Sequence, residues 1–224
     1  HDLRAPMRAL RYLVEEAETL ATTGAGADLT TKLGHIKAQS QRMTAMLGAL
    51  YEYSSTGHKA ALVERIDTRE LLTTILGSLP GLDRFLVRID GDWPVLDTVA
   101  AALQIVLRNL IENASKYHDQ PAGILALTAE PTRGYVVFTV ADDGPGIPVE
   151  LQHVAFLPFR RLPGAGNVDG SGMGLALVKR TVESVGGRIE LSSDPAVRRG
   201  ATFRISWPSE INTETIAGVA SVSR

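Results

Sequence analysis

Cysteine is absent from the 224 residues, which excludes disulfides and thiolate zinc sites. The five histidines are scattered, with no H-E-x-x-H and no i, i+4 pair, so a transition-metal centre is not expected. No apolar run reaches the ~18 residues that a membrane span needs. No G-x-x-x-x-G-K-[ST] occurs, so there is no P-loop. Neither charge is in excess: 23 Lys+Arg against 25 Asp+Glu leave a net charge of −2. That balance argues against a dedicated nucleic-acid binder and gives no membrane-surface patch. No signal peptide is visible, and the chain starts with His1 rather than Met. The expectation is a cytoplasmic fragment whose upstream part is missing. What remains is an ordinary globular composition, 44% hydrophobic, at a length that suits one large domain or two small ones.

The chain divides near residue 58. In the first part Leu3, Met7, Leu10, Leu13/Val14, Ala17 and Leu20/Ala21 recur at helical spacing until Thr23-Gly24-Ala25-Gly26 breaks the pattern. A second run, Leu29, Leu33, Ile36, Ser40, Met43, Leu47, Leu50, Ser54, steps by four and three and is a heptad seam. Two helices joined by a short loop predict an antiparallel hairpin over 1–58. A hairpin of that size buries too little of its own seam. Pairing two copies into a four-helix bundle solves this, and the competing reading packs the hairpin on the rest of the same chain.

Beyond it the pattern mixes strands and helices. Strands are expected over Leu62–Ile66, Phe85–Ile89, Ile124–Ala129, Tyr135–Val140, Arg188–Ser192 and Ala201–Ile205, with a hairpin turn at Pro131–Gly134. Helices are expected over Thr68–Leu79, with Asp67 as N-cap, over 98–116, and over Leu175–Val185, closed by Gly186-Gly187. Paired strands between helices predict an α+β class: the helical hairpin, then over 59–208 an α/β sandwich with one mixed sheet covered by helices on one face. Residues 209–224 lack apolar periodicity and are expected to form a frayed tail.

Four segments carry chemistry. Gly170-Ser171-Gly172-Met173-Gly174 passes into an apolar helical run. Glycine lets backbone amides approach a phosphate closely, and a helix N-terminus adds partial positive charge. In the long helix Asn109, Asn113 and Lys116 share one face, about a third of a turn from the core stripe Leu103, Leu107, Leu110 and Ala114. An amide oxygen suits Mg²⁺, and a lysine ammonium suits phosphate; a plain solvated face would look the same. Asp142-Asp143-Gly144-Pro145-Gly146 places a carboxylate at a strand end beside a tight turn, an acceptor for the exocyclic amine of a base or an ordinary acidic turn. Phe156-Leu157-Pro158-Phe159-Arg160-Arg161 precedes a glycine-rich stretch, as in a hinged lid or a stapled surface loop.

Taken in order with the opening His1-Asp2-Leu3-Arg4-Ala5-Pro6, these segments resemble a sensor histidine kinase. HDLRAP is similar to its phosphoacceptor box, LRNLIENASKY to its asparagine box, DDGPGIP to its first glycine box, FLPFRRL to its phenylalanine box and GSGMGLALVKR to its second glycine box. The resemblance covers about residues 1–208. It implies a dimerising, histidine-bearing hairpin followed by an ATP-binding sandwich of the kind shared with gyrase and Hsp90. It implies that His1 is the phosphorylated nucleophile, with Asp2 orienting the imidazole and taking its proton. It implies that Asn113 ligates Mg²⁺ with Asn109 beside it, and that Lys116 and Tyr117 flank the nucleotide. Asp142 would hold adenine in a pocket shaped by Gly144 and Gly146. Arg161, or its neighbour Arg160, would reach the γ-phosphate, and Gly170, Gly172 and Gly174 would contact phosphates from the lid. The implied partners are a second copy of the chain, an upstream sensor domain and the receiver domain of a response regulator, and the implied reactants are ATP and Mg²⁺. A nucleotide-binding signalling module without phosphotransfer is the alternative. The family often has Thr or Asn four residues after the histidine; here Ala5 has no hydrogen-bonding group to orient a water, which predicts weak phosphatase activity by that route.

Overall fold

The computed structural model describes residues 4–23, 28–37, 40, 62–160, 162 and 172–211. Helix α1 spans Arg4–Thr23, and residues 28–37 form the described part of α2. The two meet through Lys32, whose ammonium lies 2.5 Å from the Glu16 carboxylate. The seam residue Leu33 is 53% exposed within a single chain. Among the described residues no helix is long and apolar enough to cross a membrane. The expected second half of the hairpin, over 41–58, lies outside the described residues, as does the expected tail from 212 on. The first residues of that tail, 209–211, are not frayed, since Glu210 bridges to Asp97 and Ile211 packs on the core.

From residue 64 the order is β1 (Glu64–Asp67), α3 (Thr68–Ser78), β2 (Phe85–Gly91), β3 (Val95–Thr98), α4 (Ala100–Lys116), β4 (Gly123–Thr132), β5 (Tyr135–Asp142), α5 (Val149–Ala155), α6 (Gly174–Ser184), β6 (Arg188–Asp194) and β7 (Arg198–Pro208). The Asp67 carboxylate caps α3 as expected, accepting from the Arg69 and Glu70 amides at 2.8 and 3.1 Å. Five strands form one mixed sheet in the order β2-β4-β5-β7-β6. Its β2–β4 pair is parallel and the others antiparallel. A separate pair joins β1 to β3.

Alternation places Leu125, Leu127 and Ala129 of β4, Val136, Phe138 and Val140 of β5, and Phe203, Ile205 and Trp207 of β7 on one buried face. Helices α3, α4 and α6 cover that face, and the stripe Leu103, Leu107, Leu110 and Ala114 is buried there, as expected. Two elements differ from expectation. Thr98, expected to begin the long helix, instead ends a strand, β3 (Val95–Thr98), and the helix starts at Ala100. The reason is tertiary: Thr98 is fully buried and its hydroxyl accepts the Trp207 indole N–H at 2.8 Å. Helix α5 follows Pro148 and is too short to show a period. Replacing Thr98 by Val keeps the shape but strands the indole donor. The expected loss is about 1–3 kcal/mol of stability, read as a lower urea midpoint at unchanged m-value.

Candidate functional site

Helix α4 presents Asn109 and Asn113 at the rim of its buried face, against the start of α6. Asn109 Nδ2 donates to the Ile105 carbonyl one turn back at 2.8 Å. Gly174 opens α6 where a Cβ would lie 3.1 Å from Asn109 Oδ1 and 3.8 Å from both Asn113 side-chain atoms. A side chain at 174 would therefore push the asparagines away, so glycine sets this approach. Met173, at the N-cap, makes no side-chain cap bond to α6, and a helix start of this kind directs its amides where an anion is favoured. Lys116 and Tyr117 close α4, with the ammonium 5.8 Å from the tyrosine ring centre.

Asp142 ends β5 and is mostly buried. Its Oδ1 accepts from the Gly144 amide at 2.9 Å and the Ala201 amide at 3.4 Å. Burial pushes its pKa up, and those two amides only partly oppose the rise. Asp143, one residue on, is held low. Its own partial burial works upward, but the Ile124 amide at 2.7 Å and His118 at 3.0 Å outweigh it. The two neighbouring carboxylates thus sit in different surroundings, one buried on amides and one paired with His118.

The turn beyond Asp142 is locked from behind. Gly146 has φ +76°, and a Cβ there would lie 2.9 Å from both Gly200 O and Ser193 Oγ. Ser193 Oγ accepts the Ile147 amide at 2.8 Å and donates to Gly200 O at 2.7 Å. Gln152 of α5 donates to the carbonyls of Ile147 and Ser193.

The phenylalanine segment is anchored at one end, where Phe156 packs edge-on to Phe203 with centroids 6.5 Å apart. At the other end Phe159 adopts φ +60°, a conformation that stores about 1–3 kcal/mol in a non-glycine residue. Gly172, at φ +70°, sits against it; a Cβ there would lie 2.9 Å from Arg160 O and from Phe159 C. Arg160 and Gly172 thus lie side by side. His1, Asp2, Arg161 and Gly170 lie outside the described residues.

Residues 98–211 match the family model described as histidine kinase-, DNA gyrase B- and HSP90-like ATPase, which is half of the chain. The chain belongs to this ATPase family. Among curated relatives it is 29% identical over 206 residues to the sensor protein KdpD of Mycobacterium tuberculosis, covering 87% of this chain and 24% of that one. It is 32% identical over 225 residues to the adaptive-response sensory kinase SasA of a Synechococcus species, covering 92% and 57%. The chain thus spans between about a quarter and three fifths of the length of these relatives. Of solved structures, it is similar to the Acinetobacter baumannii histidine kinase AdeS, with TM-score 0.69 and 21% identity over 93% of this chain and 98% of that one. It is also similar to the mycobacterial sensor histidine kinase MprB, with TM-score 0.58 and 25% identity over 67% and 99%. The mixed sheet and its helical layer are those of the histidine kinase catalytic fold.

Within the frame of this ATPase family the structure brings Asn109, Asn113 and Gly174 together, and Asp142 with Gly144. It also joins residues that sequence reasoning passed over: His118, Gln152, Ser193 and Gly200. Gly200 is the sharpest case. It adopts φ +100°, and a Cβ there would overlap the Asp142 carbonyl oxygen. The only signal in the sequence was an unremarkable Arg-Gly-Ala at a strand start. Gly200→Ala combines backbone strain of about 1–3 kcal/mol with an overlap of similar size. It should lower the urea midpoint and weaken nucleotide binding together.

Proposed function

We propose that the chain binds ATP with Mg²⁺ between α4 and the start of α6, and transfers the γ-phosphoryl group to His1. The observation that carries the reading is the approach of Asn109 and Asn113 to Gly174 at a helix N-terminus. Phosphates sit on those amides, beside Lys116. Asp142 uses Oδ1 for its two backbone donors and offers Oδ2 to the adenine amine. Gly144 and Gly146 shape the turn beside the base by letting Asp142, Ser193 and Gly200 pack close against it, and Tyr117 flanks the nucleotide. Hard amide oxygens suit Mg²⁺. The Asn113 amide oxygen fits an ion whose remaining ligands are phosphate oxygens and water. Bound there, it would neutralise phosphate charge.

In the transfer an imidazole nitrogen of His1 bonds to the γ-phosphorus while the bond to the bridging oxygen breaks. ADP leaves, and the imidazole proton passes to Asp2. Arg161 or Arg160 stabilises the charge on the moving group, and Gly170 and Gly172 contact the phosphates. A solved relative, ShkA, is described in complex with AMPPNP, which supports an adenosine triphosphate here. The hairpin dimerises through its heptad seam, an arrangement supported by the exposure of Leu33. An aspartate of a response regulator's receiver domain is the final acceptor, and ATP as substrate places this part in the cytoplasm.

The test is incubation with γ-labelled ATP and Mg²⁺. Acid-labile label on the chain is the expected result. A chain that binds ATP but acquires no label is a nucleotide-binding module without phosphotransfer, and a folded chain that gives no heat with ATP and Mg²⁺ overturns the site.

A further inference from the structure

His118 lies in the loop that joins α4 to β4, and its side chain is 1% exposed. The ring packs edge-on to Phe85 with centroids 5.0 Å apart. Gly123 has no room for a side chain because the imidazole and the Phe85 ring fill it: a Cβ there would lie 2.6 Å from His118 Nε2 and from Phe85 Cε1. The Gln120 amide donates to His118 Nδ1 at 3.2 Å. Nδ1 also lies 3.1 Å from the Gln120 carbonyl; Nε2 donates to Asp143 Oδ1 at 3.0 Å, since a carboxylate can only accept there. The same carboxylate oxygen accepts the Ile124 amide at 2.7 Å.

Asp143 is therefore held at two points, by His118 of the loop that leaves the asparagine helix and by Ile124 at the start of β4. The side chain of its neighbour Asp142 accepts from amides of its own turn and of Ala201. Successive side chains of extended backbone point to opposite sides. Pinning Asp143 on one side therefore fixes where Asp142 points on the other. His118 also touches the turn itself: a Cβ on Gly144 would lie 3.5 Å from His118 Cδ2 and 2.9 Å from Asp142 Oδ1. From the far side Arg199 completes the arrangement, with Nη2 2.5 Å from Asp119 Oδ1 and Nε 3.4 Å from Asp143 O.

We propose that His118 and Asp143 form a clasp that positions Asp142 for the 6-amino group of adenine, making His118 a positioning residue for base selection. The inference rests on the nucleotide site proposed above and names a residue that the five sequence segments do not assign. The clasp ties the base end of the site to the end of α4, whose asparagines serve the phosphate end. A disturbance in the loop is then felt as lost discrimination between bases.

The test compares ATP with purine riboside triphosphate, which lacks only the 6-amino group, by calorimetry on the whole chain. His118→Ala and Asp143→Ala should each weaken ATP about tenfold and change binding of the analogue less than twofold. The double variant should be no worse than either single one, because the two residues act as one unit. His118→Gln, which keeps a donor near the Nε2 position, should recover most of the affinity. Equal losses for both nucleotides, or unchanged ATP affinity in folded variants, overturn the clasp. Should the alanine variants not fold, the same comparison is read on His118→Gln and Asp143→Asn: Asp143→Asn then loses discrimination while Gln retains it, and equal behaviour of the two overturns the proposal. A wild-type chain that binds neither nucleotide overturns the site itself, and the clasp with it.

Discussion

Asp142→Asn is expected to weaken ATP binding about a hundredfold while leaving the fold no less stable than before. The two halves of this result have separate causes. Asp142 accepts two backbone amides through Oδ1, and Asn can keep those through its own oxygen. Its nitrogen then faces the adenine amine, so one donor meets another. A charge-assisted hydrogen bond contributes about 1.5–3 kcal/mol, and a mismatched buried donor adds to the loss; a hundredfold is about 2.7 kcal/mol.

Stability moves the other way. Burial raises the Asp142 pKa, so the ionised carboxylate is less favourable in the folded chain than in the unfolded one. Its contribution to stability is present below the unfolded pKa and is lost as pH rises through the folded one. At neutral pH the native residue carries that penalty and Asn does not. Thermal unfolding without nucleotide should give Asp142→Asn a melting temperature equal to or above wild type. ATP affinity of the wild type should fall on acidification at a higher pH than an ordinary aspartate would give, as Asp142 takes up a proton. Asp143 has the opposite sign. Its pKa is held low, so its contribution is present above the unfolded value and fades as pH falls through the folded one. A variant that loses both ATP binding and ten degrees of melting temperature would mean that Asp142 is a structural acid.

His1→Gln is expected to remove the acid-labile label completely while leaving the ATP dissociation constant within twofold. A neutral imidazole nitrogen is available near pH 7 because the ordinary histidine pKa is about 6.5. The glutamine amide nitrogen is of similar reach but has no lone pair free to attack phosphorus. No residue proposed to hold the nucleotide is on the hairpin; all lie between positions 109 and 174. Binding and transfer therefore separate cleanly in this variant, whereas Asp142→Asn should lose label because it loses ATP. Label that survives at full level in His1→Gln would move the acceptor to another residue.

Much of the site was legible because its signals are local. The asparagine face of α4 follows from helical spacing, and both its polar rim and its core stripe stand where that spacing puts them. Asp142 stands at a strand end and Asp67 at a helix start, as alternation and capping rules require. The sharp misses are short or distant. Helix α5 has seven residues and β3 has four, too few for a period to rise above chance.

The amino-acid sequence by itself determined the succession of elements, the α+β class, the asparagine face and the strand-end carboxylate. Each of these is written in residues a few positions apart. Only the tertiary structure decided the strand order β2-β4-β5-β7-β6. It alone set Ala201 on Asp142 across 59 positions and His118 on Asp143 across 25. Periodicity says which side of an element is buried but not which element covers it. Gly200 and His118 take their meaning from partners that chain folding brings to them.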